Sequence, residues 1–334
     1  MKNRFLILFC VAACGVWLGG CKKSANPSSP GGGPGSSTSA GNAAGGTLLK
    51  VKWQQGKRYV NSVTNSQAAE INVPGMSTPL KQDVSLSQAF AVTVNKTNDD
   101  GGAELGMEFL SYHMDQMTGG RQAVRFDSAD DPAKDGRNPI APIFRKIVGA
   151  KLTFTVDADG KVVNVEGVDE LIANIRQGLN PQVASVVDSM VNEDQFKQYL
   201  DASRAMPNHA VNVGDTWPID FEMKIAAVGR LKLHLDCKFV GMEQHGDRNC
   251  AKIDYTGTMT SKAIPGADPK AVSAQIEKGK LTGTTWFDPD LGMVVDSTGE
   301  QTFAAKINAN GQKLTANFTQ ETGAKLVEVT DVQK

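Results

Sequence analysis

Asp157, Asp159 and Gly160, with Glu166 six residues beyond the glycine, are spaced like part of a twelve-residue calcium loop. In that loop oxygen ligands occupy positions 1, 3, 5, 7, 9 and 12 around a glycine at position 6. With Gly160 at position 6, Thr155 falls at position 1 and Val163 at position 9, so two ligands are weak or missing. Flanking helices are absent too, because Leu152, Phe154 and Val156 alternate with polar residues in the strand period of two. The stretch reads as a hairpin turn, in which Asp bonds the backbone and Gly supplies a positive φ. No metal is expected there.

The remaining reactive residue types are scattered. His113, His209, His234 and His245 form no HExxH or other short-range ligand pair and are expected to be solvated. Asp127, Asp130, Asp131 and Asp135 lie in DSADDPAKDG, where Pro132 and Gly136 point to a solvated loop. Trp217 and Trp286 sit at strand ends and are expected to pack in the core or at its rim. There is no G-x-S-x-G elbow, P-loop or C-x-x-C in the body. The expectation is therefore no catalytic residue, no metal and no cofactor, although a triad meeting only in space would leave no local trace.

The clearest site is at the N-terminus. Lys2 and Arg4 precede an uncharged apolar run from Phe5 to Leu18, and Leu18-Gly19-Gly20 leads into Cys21. The run is too short to span a bilayer and has the layout of a secretory signal over residues 1–20. LGGC resembles the lipobox of bacterial lipoproteins, which implies cleavage before Cys21, diacylglycerol on its sulfur and acylation of the new amino group, hence a durable anchor to the membrane. Residues 21–46 then form a Gly, Ser, Pro and Ala tether that has too little apolar surface to order itself. Its reach is roughly 25 to 30 Å. Lys22 after the cysteine resembles the outer-membrane class of lipoprotein.

Removing residues 1–20 takes Lys2 and Arg4 away and leaves 33 basic against 36 acidic residues, a net charge of −3. Nothing in that balance attracts nucleic acid. The body, 47–334, divides by periodicity. A first β half spans about 47–166, helical stripes about 167–206, and a second β half about 207–334. Val84, Leu86, Phe90, Val92 and Val94 share one strand face. Asn98-to-Gly102, Pro74-Gly75 and Asn310-Gly311 mark reversals. Helical stripes are spelled by Ile140, Ile143, Phe144 and Ile147, by Val168, Leu171, Ile172 and Ile175, by Val183 to Val191, and by Phe196 to Met206. The two halves look related: GKRY at Gly56 matches GDTW at Gly214, Val94 onward matches Val240 onward, and the Asp157 turn matches the one at Asp288 to Gly292. Cys237 and Cys250 fall on opposite strand faces if their strands pair around His245-Gly246-Asp247, which argues against a disulfide.

The expected fold is α+β and mainly antiparallel, a large curved sheet or half-barrel from two related β halves with amphipathic helices packed on it. The lipobox, Gly-rich tether, GKxY, VDxDGKV, GDTW and FDPxxGxVV together resemble an uncharacterised bacterial lipoprotein family of the domain-of-unknown-function kind. The architecture is similar, by distant analogy, to the half-barrel carriers and receptors of lipoprotein localisation. The chain is expected to be a noncatalytic envelope protein that binds a lipid or other apolar ligand. The alternative is a structural or assembly role with an envelope protein as partner.

Overall fold

The structure, a computed structural model, describes residues 46–136, 138, 140–179, 206–207, 209–225, 228–262, 273–309 and 311–332. Alternating apolar and polar residues produce fourteen strands among them: β1 Thr47–Leu48, β2 Lys57–Asn72, β3 Leu80–Thr97, β4 Ala103–Thr118, β5 Arg121–Asp127, β6 Lys151–Val156, β7 Val162–Glu166, β8 Ala210–Val211, β9 Thr216–Ile225, β10 Gly229–His245, β11 Arg248–Lys262, β12 Ser273–Asp288, β13 Met293–Ala309 and β14 Gln312–Asp331. β1 pairs with β8, and the other twelve make one open antiparallel sheet. Its order is β7-β6-β4-β3-β2-β14-β13-β12-β11-β10-β9, with β5 on β4.

That order makes the internal repeat visible. β2, β3, β4, β6 and β7 run across the sheet in the same sequence as β9, β10, β11, β12 and β13, and β14 is inserted between the two sets. Equivalent bonds recur. Gly56 N–H donates to the Val94 carbonyl at 2.9 Å and Gly214 N–H to the Phe239 carbonyl at 2.8 Å. Each glycine has positive φ and is followed three residues later by a buried aromatic, Tyr59 or Trp217. The expected match of Val94 onward to Val240 onward, which sets Leu105 against Ala251, is displaced by two residues. Ala103 pairs with Val156 as Ala251 pairs with Phe287, just before the matching Asp157 and Asp288 turns.

One face of the sheet is buried. Its apolar side chains form a cluster on the second half around Leu233, Leu235, Phe239, Ile253, Phe303 and Phe318, and another on the first half around Tyr59, Leu105, Leu152 and Phe154. Two of the expected helical stripes are present, α1 at Ala141–Ile147 and α2 at Val168–Arg176. The stripes at 183–191 and 196–200 lie outside the described residues. A nine-residue helix is unstable alone. α2 persists because Val168, Leu171, Ile172 and Ile175 are buried in the first-half cluster, each large aliphatic side chain giving about 1.5–3 kcal/mol. Asp169 and Glu170 favour its N-terminus, and Lys146 of α1 donates to the Asn174 carbonyl at its C-terminal end, at 2.7 Å. Phe144 of α1 stacks on Tyr112, with ring centroids 4.1 Å apart.

Cys237 and Cys250 are both free and buried. Cys237 lies opposite Tyr255 on the buried face, and Cys250 has the other parity on β11, as the alternation requires. Burial, with Asp288 adding to it, pushes the Cys250 thiol up to about 11.

Candidate functional site

Cys21 lies outside the described residues. The calcium-like stretch forms the β6–β7 turn. One carboxylate oxygen of Asp157 accepts the N–H groups of Asp159 and Lys161, at 3.0 and 2.8 Å, and Gly160 has φ +77°. In the matching β12–β13 turn, Asp288 accepts from Asp290 and Leu291, both at 2.9 Å. Both aspartates thus hold their own backbone. Among the described residues no three His, Cys, Asp or Glu side chains are placed to hold a metal ion.

The histidines are exposed or half-buried, as expected, and three of the four also have carboxylate partners. His113 on β4 sits between Asp115 at 2.9 Å and Asp127 of β5 at 3.2 Å. His234 on β10 sits between Asp220 of β9 at 2.9 Å and Asp236 at 3.5 Å. His245 meets Asp296 at 3.0 Å and stacks on Trp286, whose indole N–H donates to Glu243 at 2.6 Å. The cross-strand partners are remote in sequence, which hid them. Asp127 is held below the usual carboxylate range, chiefly by the Ala129 N–H and further by His113. All three clusters lie on the open face of the sheet, and they join strands.

His234 yields a pH prediction. Its hydrogen bond to Asp220, then the charges of Asp220 and Asp236, raise its pKa above the ordinary 6.5. A raised folded-state pKa gives stability that is complete below the unfolded value and is lost as pH rises through the folded one. Both partners are well exposed, so the effect is small. Urea melts should show His234→Gln losing more stability, relative to wild type, at pH 5.5 than at pH 8.5. An equal loss at both would contradict the pairing.

DSADDPAKDG is wound around a cation from α1. Arg145 gives Nε and Nη2 to the two Asp135 oxygens at 3.0 Å each. It also donates to the carbonyls of Ser128, Asp130 and Asp127 at 2.8, 2.7 and 3.3 Å, and lies over the Phe126 ring. Lysine has neither the fork nor enough donors to replace it. Arg145→Lys should therefore lower stability by about 1–3 kcal/mol in a denaturant titration, and should speed proteolysis within 127–136. Unchanged cleavage there would mean that the loop holds itself.

The arrangement with the most chemical content is on the buried face. Gln116, Val84, Gln67, Gln320, Gln301 and Leu281 stand side by side across β4, β3, β2, β14, β13 and β12. In the next row are Met114, Leu86, Asn65, Thr322, Gly299, Gly283 and Tyr255. The Tyr255 ring tip covers the two glycines. A Cβ on Gly283 or Gly299 would lie 2.2 or 2.4 Å from its hydroxyl oxygen. That hydroxyl donates to the Thr298 carbonyl at 3.3 Å, and burial pushes it up to about 12. The result is an uncharged band of amides and hydroxyls. Phe303 and Phe318 flank it on one side, and Phe90 and Phe109 lie beyond it on the other. Gln320 is 2 % exposed and Asn65 5 %, and the Asn65 Nδ2 has no hydrogen-bond partner.

The opposite face holds a hollow of about 360 Å³ floored by Ser66, Ala68 and Ser85 and edged by Asp83, Asp115 and Glu321. Those carboxylates stay in water, and small side chains account for the hollow. Sequence periodicity missed the amide band, yet a signal was present. Asn65, Gln67, Gln301 and Gln320 share strand parity with Ala69, Ile71, Phe303 and Phe318, so polar residues occupy core positions.

Among solved structures the chain is similar to one of lipovitellin concerned with its lipid–protein interactions, at 8% identity and TM-score 0.42, covering 85% of this chain and 26% of that one. The chain thus spans about a quarter of the lipovitellin chain. It is also similar to a Bacteroides fragilis protein assigned to export, with a YmcC-like fold, at 12% identity and TM-score 0.28, covering 85% of this chain and 100% of that one. A Parabacteroides distasonis protein assigned as a lipoprotein matches at 11% identity and TM-score 0.28, over 85% of this chain and 99% of the other. No curated protein matches the chain. A family profile, in contrast, matches residues 100–311, from the β3–β4 turn to the β13–β14 turn. That match takes in more than half of the sequence, and the chain belongs to the family of unknown function DUF6263.

Proposed function

We propose that the chain is a lipid-anchored protein of the bacterial envelope, tethered through Cys21, that binds a lipid or other largely apolar ligand on the buried sheet face and catalyses no reaction on it. The observation that carries this is the composition of that face. Apart from the Lys57–Asp331 pair at its rim, no paired position from β10 to β4 on this side is Asp, Glu, Lys or Arg. Long apolar clusters are interrupted only by neutral polar groups, which suits a ligand that is mostly hydrocarbon. The signal layout, the lipobox and Lys22 support an outer-membrane location facing the periplasm or the cell surface.

Mass spectrometry of organic extracts from the chain 47–334, produced without its anchor, tests the reading. About one lipid per protein, or stoichiometric uptake when lipids are offered, is expected. A protein that carries none and takes up none would refute it.

A further inference from the structure

We infer that the amide band selects the polar part of the ligand, and that this part is uncharged: the chain takes a neutral acylglycerol rather than a fatty acid or an anionic phospholipid. The inference rests on the lipid-binding proposal and adds the headgroup class. A buried amide N–H without an acceptor is destabilising, and native proteins keep few such groups. Asn65 Nδ2 is such a group, in a side chain 95 % removed from solvent at the centre of the sheet. Its neighbours in register are Leu86, which accepts nothing, and Thr322, whose hydroxyl donates to the Gly299 carbonyl at 3.4 Å.

The surroundings define what would satisfy it. Gln67, Gln320 and Gln301 bring amide donors and acceptors to the adjacent row, and the Tyr255 hydroxyl is neutral with a pKa near 12. A carboxylate or phosphate placed here would lose its hydration and, among the described paired positions of this face from β10 to β4, meet no lysine or arginine apart from Lys57 at the rim, so its lost hydration would go uncompensated. An ester carbonyl or a glycerol hydroxyl loses far less and is matched one for one by amide N–H and C=O groups. The flanking rows of Phe303 and Phe318, and of Phe90 and Phe109, give acyl chains apolar surface on both sides of the band.

The full acylated chain in its own membranes provides the test, using photoreactive diacylglycerol, oleic acid and phosphatidylglycerol probes with the crosslinked peptides mapped. The diacylglycerol probe should label peptides of β2, β13 and β14 at least tenfold more than either charged probe. Asn65→Leu should cut that labelling about fivefold or more. The same variant should raise the thermal midpoint, because it removes a buried unpaired donor. Equal labelling of those peptides by a charged probe would overturn the inference and leave the lipid-binding proposal standing. Unchanged labelling in Asn65→Leu, or a lowered midpoint, would also overturn it. Absence of any label on the three strands would sink both.

Discussion

Replacing Gly283 by alanine should destabilise the protein by about 3 kcal/mol or prevent folding, a loss visible as a large drop in the urea midpoint. The added Cβ would lie 2.2 Å from the Tyr255 hydroxyl oxygen and 2.3 Å from the backbone oxygen of Thr298. The first contact involves a side chain that could move. The second is to the neighbouring strand, whose register is fixed by an unbroken ladder from Lys278–Ala304 to Trp286–Asp296. Relief therefore requires β12 and β13 to part where Gly283 faces Gly299. A Tyr255→Ala change on the Gly283→Ala background should recover only part of the loss. Gly106→Ala is the control, since Gly106 is also a strand glycine but its added Cβ would meet only the Asn95 side chain, at an ordinary 3.5 Å. If the two alanine variants melt alike, the tyrosine does not lie on the glycine track.

The contrast between these glycines shows what a single sequence conveys. Turn chemistry is local, so Asp157, Gly160, Asp288 and Gly292 disclosed both hairpins, and the alternation of Val84, Leu86, Phe90, Val92 and Val94 disclosed their shared face. Sheet order is not local. β14 pairs with β2, which lies more than two hundred residues away in the chain, and no feature of either strand announces the other. The carboxylates around His113 and His234 were hidden for the same reason, because Asp127 and Asp220 are neighbours only through the register. The repeat was legible as three weak matches, yet its exact frame was not. The β10–β11 hairpin runs further past the matched pairs than the β3–β4 hairpin, to His245 and Arg248 where the first half already turns at Thr97 and Ala103, and this displaced the matched strands by two residues. The amide band lay between these cases. Its parity was readable, but its continuity across β2, β14 and β13 needed the sheet order.

Cys21→Ala should abolish acylation, leave the signal uncleaved by the lipoprotein peptidase, and eliminate incorporation of labelled palmitate. The argument is energetic. Each buried methylene of an acyl chain contributes about 0.8 kcal/mol, and one chain alone gives only marginal binding, so stable attachment depends on the several chains that one cysteine would carry. Nothing in the described part of the body substitutes for them through helices, because none is long and apolar enough to cross a membrane. The tether of residues 21–46 has no large apolar side chain either. The chain 47–334 should accordingly be recovered in the soluble fraction, folded, without detergent, and its urea midpoint should match that of the anchored protein. Recovery in the membrane pellet after a high-salt wash would mean that the body binds the bilayer through its own surface. The exposed side chains of Leu48 and Val213, close to where the tether enters the β1–β8 pair, would then be the first to replace with serine.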